Sequence, residues 1–162
     1  MPPEETPSNS RAAPAPALSP DPSRDPSQDL ADGATARVAQ PRSPDDEERL
    51  RRFVLEAARL LRDLHCEDIV ALDLRRLSDL ADYILIASGT SDRQIKSLGR
   101  DLEKLAKQHG MERVGSEMDG PSKWLVVDFL DVIVHLFEPV TRAYYDLETL
   151  WGDAPTVHWR RG

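Results

Sequence analysis

The sequence predicts an α/β domain built on a mixed β-sheet flanked by helices. Three observations carry that expectation. Apolar residues recur at helical spacing in two separate stretches, around residues 50–64 and 95–106. Between and after them lie short apolar runs of strand length, "YILIAS" and "VIVHLF". Such runs suit strands buried on both faces. Helical and strand patterns also interleave along the chain, which favours layers of helix on sheet.

The first helix is expected to begin near Ser43 or Asp45. Ser43 suits the N-cap, Pro44 the first helical position, and Asp45, Asp46, Glu47 and Glu48 the positive end of the dipole. Leu50, Phe53, Val54, Ala57, Leu60, Leu61 and Leu64 form its apolar stripe. "EDIVALDLR" then alternates as a strand, with Ile69 and Ala71 opposite Val70, Leu72 and Leu74. "RRLSDLAD" is a turn region, and "YILIAS" is a central strand. A second helix spans about Asp92 to His109, with Ile95, Leu98, Leu102, Leu105 and Ala106 inward and Gly110 as its left-handed stop. "MERVGSEMDGPSK" is a weak strand candidate. "WLVVDFLDVIVHLFE" divides into strands Lys123–Asp128 and Val132–Glu138 around a tight turn. One last helix follows Pro139, with Val140, Ala143, Tyr144, Leu147, Leu150 and Trp151 as its stripe and Gly152 as its end.

Composition divides the 162 residues into three parts. Residues 1–44 hold ten of the thirteen prolines and almost no large apolar side chains, so they read as a disordered Pro-rich tail. Residues 45–153 read as one compact domain, and 154–162 as a flexible C-terminal end. The tail lacks the apolar core of a signal peptide, and its six acids against four arginines do not suit a transit peptide. No run reaches the roughly 18 apolar residues of a membrane span. The single Cys66 cannot form an intramolecular disulfide, and a cytoplasmic location is expected. Of the net charge of −8, the tail carries −2 and the remainder −6. That balance disfavours wrapping nucleic acid through bulk charge, and if the chain works near nucleic acid the contact expected is a basic protein or a local patch.

Four groups of residues invite a chemical reading. "SGTSDRQ" joins a strand to a helix, as a phosphate cradle would. It lacks the lysine and second glycine of a P-loop, however, and it reads equally as structure. Gly89 opens the turn, and Ser91 with Gln94 forms a capping box. The acid pairs Asp79/Asp82 and Asp128/Asp131 are spaced by three, which on one strand puts them on opposite faces. A two-metal site is therefore not expected, and no cofactor is assigned. His65, His109, His135 and His158 are scattered, and Cys66 at a helix–strand joint reads as a small buried hydrophobe. Finally, Trp124, Val126 and Asp128 share one strand face and Leu125, Val127 and Phe129 the other. Trp124 is then either a core residue or an anchor for a basic partner on an open sheet face.

"ADYILIASGTSDRQ" and "WLVVDFLDVIVHLFEPVTRAYYDLETLWGD" resemble the ribosomal silencing factor family, also called Iojap-like. The resemblance runs from about residue 47 to 153. Its most specific parts are Trp124 with Asp128, then Asp131, Val132, Val134 and His135, then Arg142, Tyr145, Leu147, Glu148, Leu150 and Trp151. It implies a nucleotidyltransferase-like fold without that group's catalytic carboxylates, and a translational repressor rather than an enzyme. Members bind the large ribosomal subunit through its fourteenth protein, at the face that meets the small subunit, and block subunit joining when nutrients are short. Some form homodimers. On this chain the resemblance points to Trp124, Val126, Asp128, Leu130 and Asp131 as partner-binding residues. The competing expectation is a nucleotide-binding transferase using the Gly89–Ser91 turn.

Overall fold

The protein, seen in a computed structural model, is described over residues 42–119 and 123–161. Most of the expected Pro-rich tail, up to Pro41, lies outside the described residues. The first helix begins one residue before residue 45. Ser43 Oγ accepts the Asp46 amide at 3.2 Å and caps helix α1, Pro44–Asp63, with Pro44 in the first turn. Strands β1 (Glu67–Asp73) and β2 (Tyr83–Ser88) follow, then α2 (Asp92–Gln108). Next come β3 (Gly115–Asp119), β4 (Trp124–Asp128) and β5 (Val132–Phe137). Two short helices close the chain, α3 (Pro139–Tyr145) and α4 (Leu147–Leu150).

The five strands form one mixed sheet in the order β1-β2-β5-β4-β3. Only β2 and β5 run parallel, in the centre, with Tyr83 opposite Val132 and Ser88 opposite Phe137. Every residue of these two strands is buried. The continuous apolar runs of the sequence are thus central strands, and the weakest segment is the edge strand β3. Helices α1 and α2 cover one face. Phe53, Val54, Leu61, Ile95, Leu98 and Leu102 pack there on Leu85, Leu125, Val127 and Val134. The other face gathers Leu72, Leu74, Ile84, Ile86, Trp124, Ile133 and Phe137 under Leu147, with Tyr145, Trp151 and Ala154 at its border. No helix among the described residues is long and apolar enough to cross a membrane.

Two expectations fail here for physical reasons. The single last helix is broken at Asp146, whose φ of 45° is left-handed and ends α3 while starting α4. The break changes the inward direction. Leu147 is buried and Tyr145 and Trp151 partly so, while Val140 is 78% and Tyr144 47% exposed. The second failure is the flexible end at 154–162. Val157 N donates to Ala71 O at 2.8 Å, Asp73 N donates to Pro155 O at 2.9 Å, and Thr156 bridges Leu72. Val157 and Trp159 are buried, and Arg59 Nε donates to the Trp159 carbonyl. Residues 155–157 therefore extend the β1 edge, a pairing that local sequence does not signal, and Trp159 is fastened to α1.

Candidate functional site

Strand β4 and the turn that follows it carry most of the residues of interest. The pleat directs Leu125, Val127 and Phe129 into the helix-covered core, as their alternation requires. Trp124 turns to the other face, but that face is not open. The indole is 6% exposed, stacked on Phe137 at 5.0 Å between centroids and lying 4.6 Å from Tyr145. Its Nε1 donates to His135 Nδ1 at 3.2 Å. The expectation of an outward Trp124 beside Asp128 is thus corrected: α3 and α4 fold over the ring. Val126 and Asp128, further along the same face, are only partly buried.

Trp124 also stands apart from the turn. Asp128 is four residues on, about 13 Å at roughly 3.3 Å per residue, and Leu130 and Asp131 lie beyond it. The turn is built around Leu130. Asp128 Oδ1 accepts the Leu130 amide at 2.7 Å, and Phe129 N donates to Val132 O at 3.0 Å. This holds Leu130 at φ 71°, in left-handed backbone that a branched apolar residue seldom adopts, with its side chain 41% exposed. Burial raises the pKa of Asp128, the Leu130 amide opposes that rise, and the negative charge of Asp131 adds to it.

The Asp79/Asp82 and Asp128/Asp131 spacings do not make carboxylate pairs on one strand face. The structure instead joins acids across strands. Asp82 and Asp131 precede the two parallel strands, Asp82 N donates to Asp131 O at 2.8 Å, and the Arg42 guanidinium bridges both carboxylates. No spacing rule within one segment reveals this cluster. Among the described residues no group of three or more His, Cys, Asp or Glu is arranged to hold a metal.

The Gly89–Ser91 turn caps and braces the start of α2. Ser91 Oγ accepts the Gln94 amide at 3.2 Å, as the capping box predicts. The return arm differs: Gln94 Oε1 accepts the amide of Thr90, at 2.6 Å, and its Nε2 donates to the Leu64 carbonyl. One side chain thereby ties the start of α2 to the end of α1, and the amides of Gly89, Thr90 and Gln94 are taken by the protein itself. Gly89 is required for space rather than handedness. A Cβ there would lie 2.7 Å from Ile95 Cγ1 and 3.3 Å from Gln94 Oε1. Gly89→Val is accordingly expected to cost about 2 kcal/mol by overpacking. Urea unfolding measures that loss, and an unchanged midpoint would show that Ile95 yields freely.

His135 is wholly buried at the centre of the sheet, and burial lowers its pKa to about 3. The folded chain therefore refuses a proton that the unfolded chain takes below about pH 6.5. Above that pH His135 adds no pH dependence. Below it, stability falls by about 1.4 kcal/mol per pH unit until the folded pKa is reached. The glutamine variant His135→Gln keeps an acceptor for the Trp124 indole. It should lose about 2 kcal/mol less than the parent between pH 6.5 and 5. Equal slopes in the two proteins would contradict this. Cys66 is buried and its thiol pushed up to about 11, so it is a packed hydrophobe and a poor nucleophile.

The fold and these clusters define an α/β domain with a mixed sheet, helices on both faces, and polar groups engaged in caps, ion pairs and one buried indole–imidazole bond. The chain belongs to the family described as ribosomal silencing factor during starvation, whose model matches residues 47–161. It is 42% identical over 95 residues to ribosomal silencing factor RsfS of Halalkalibacterium halodurans, covering 59% of this chain and 81% of that one. Against the Bacillus subtilis protein of the same name the identity is 42% over 99 residues, covering 61% and 84%. A crystal structure of a Chromobacterium violaceum protein superposes with a TM-score of 0.57 at 34% identity, covering 72% of this chain and 92% of that one. Membership carries a ribosome-associated silencing role of a regulatory kind.

Proposed function

We propose that this protein represses translation by binding the large ribosomal subunit through its fourteenth protein, at the face that meets the small subunit, so that the subunits cannot join. The setting is nutrient limitation, and the compartment is the cytoplasm. The observation that carries the partner surface is Leu130. A strained, exposed leucine flanked by Asp128 and Asp131 on an acidic domain offers an apolar contact framed by charge for a basic protein surface. Val126 and Asp128, both partly buried, continue that surface along β4, and Trp124 holds α3 and α4 on the same sheet face, apart from the turn. The exposed Val140 and Tyr144 on α3 offer a second apolar contact, to the same partner or to a second copy of the chain.

Leu130→Gly is the informative variant, because glycine accepts the left-handed backbone and the fold is retained. Co-sedimentation with purified large subunits should weaken at least tenfold for a contact of hot-spot weight. Undiminished binding by a folded Leu130→Gly chain would remove this surface from the account.

A further inference from the structure

Arg42 lies outside residues 47–161, the part that the family shares, yet its side chain is packed onto that part. Its guanidinium contacts Asp82 and Asp131 together, and all three side chains are largely covered. The parallel register explains why the acids stand side by side: each immediately precedes a residue of the Tyr83–Val132 pair. Asp82 N and Tyr83 N both donate to the Asp131 carbonyl, at 2.8 and 3.1 Å, which fixes the spacing of the two carboxylates. A planar fork of donors fits two such carboxylates better than a point charge does. Next to this pair stands the exposed Leu130 of the same turn.

We infer that Asp82 and Asp131 form a seat for an arginine side chain, filled in the free protein by Arg42 and taken over on binding by an arginine of the basic partner. Arg42 is then an internal competitor that lowers the apparent affinity in proportion to the time it occupies the seat. Removing it leaves the two carboxylates together without the guanidinium that bridges them, which strengthens their demand for an outside cation. The inference rests on the reading that the Asp128–Asp131 turn meets a basic protein.

A tri-arginine peptide, titrated into the full chain and followed by the amide shifts of Asp82, Tyr83, Asp131 and Val132, tests the seat without the ribosome. Arg42→Ala should bind the peptide about tenfold more tightly than the parent. The gain should vanish in the double variant Arg42→Ala with Asp131→Asn. Equal peptide affinity of parent and Arg42→Ala would overturn the seat and leave Arg42 as a staple alone. Co-sedimentation of the same proteins with large subunits separates the two readings. Tighter peptide binding with no subunits carried down by any chain would keep the seat and refute the partner. Subunits bound with no peptide gain would refute the seat and keep the partner.

Discussion

Trp124→Ala is expected to lower the unfolding free energy by about 4 kcal/mol and the melting temperature by about 10 °C or more. The indole fills the space between β4 and β5 on the one side and Tyr145 of α3 on the other, in stacked contact with Phe137. Truncation removes that buried area and leaves a cavity under two short helices. It also strands His135. Nδ1 loses the indole donor, and Nε2 already lacks a hydrogen-bond partner among the described residues. A buried imidazole with neither nitrogen satisfied costs more than the lost contact area alone. Trp124→Phe should recover much of the stacking and none of the hydrogen bond. Calorimetry that finds Trp124→Ala within a degree or two of the parent would refute the buried role. The consequence for function is direct. A binding defect in Trp124→Ala reports first on whether α3 and α4 stay folded over the sheet, so the variant cannot by itself mark a partner contact.

Arg142→Ala should cost about 3 kcal/mol and release the same region. Arg142 is 11% exposed at its side chain and reaches three ways. Its Nε and Nη2 donate to Glu148 Oε1, at 2.7 and 2.5 Å, and its Nη1 donates to Ser88 Oγ at 2.8 Å. One guanidinium thereby ties α3 to α4 across the break at Asp146 and fastens both to the end of β2. Neither helix is long enough to hold its shape alone, since four and seven residues fall below the length at which isolated helices persist. With Arg142 gone, Glu148 keeps a partly buried charge without its partner. Amide exchange should rise across 139–151 and stay unchanged in α1 and α2. Protection maintained over 139–151 in Arg142→Ala would show that packing by Leu147 suffices.

Elements whose fate is set by local pattern were legible in the sequence. The stripe of α1, the cap at Ser43, the glycine stop after α2 and the buried runs of β2 and β5 all follow from spacing and residue type. Local pattern fails where distant chain segments decide. The stripe through Val140, Tyr144 and Leu150 reads as core only if the helix continues, and Asp146 breaks it. Trp124 reads as outward only if nothing covers its face, and Tyr145 and Leu147 do. Residues 155–157 read as a loose end because their partner, β1, lies over eighty residues earlier. The union of Asp82, Asp131 and Arg42 belongs to the same class, being created by two parallel strand starts and a residue before the first helix. The composition of the Leu130 turn was visible, whereas its left-handed, exposed leucine was not.

The most direct measurement is of subunit joining itself. Purified large subunits, incubated with an excess of this protein before small subunits are added, are resolved by sedimentation. The subunits should stay apart, with the protein travelling with the large one, and Leu130→Gly should restore most of the joining. Assembled ribosomes at the same level with and without the protein would contradict the proposed repression.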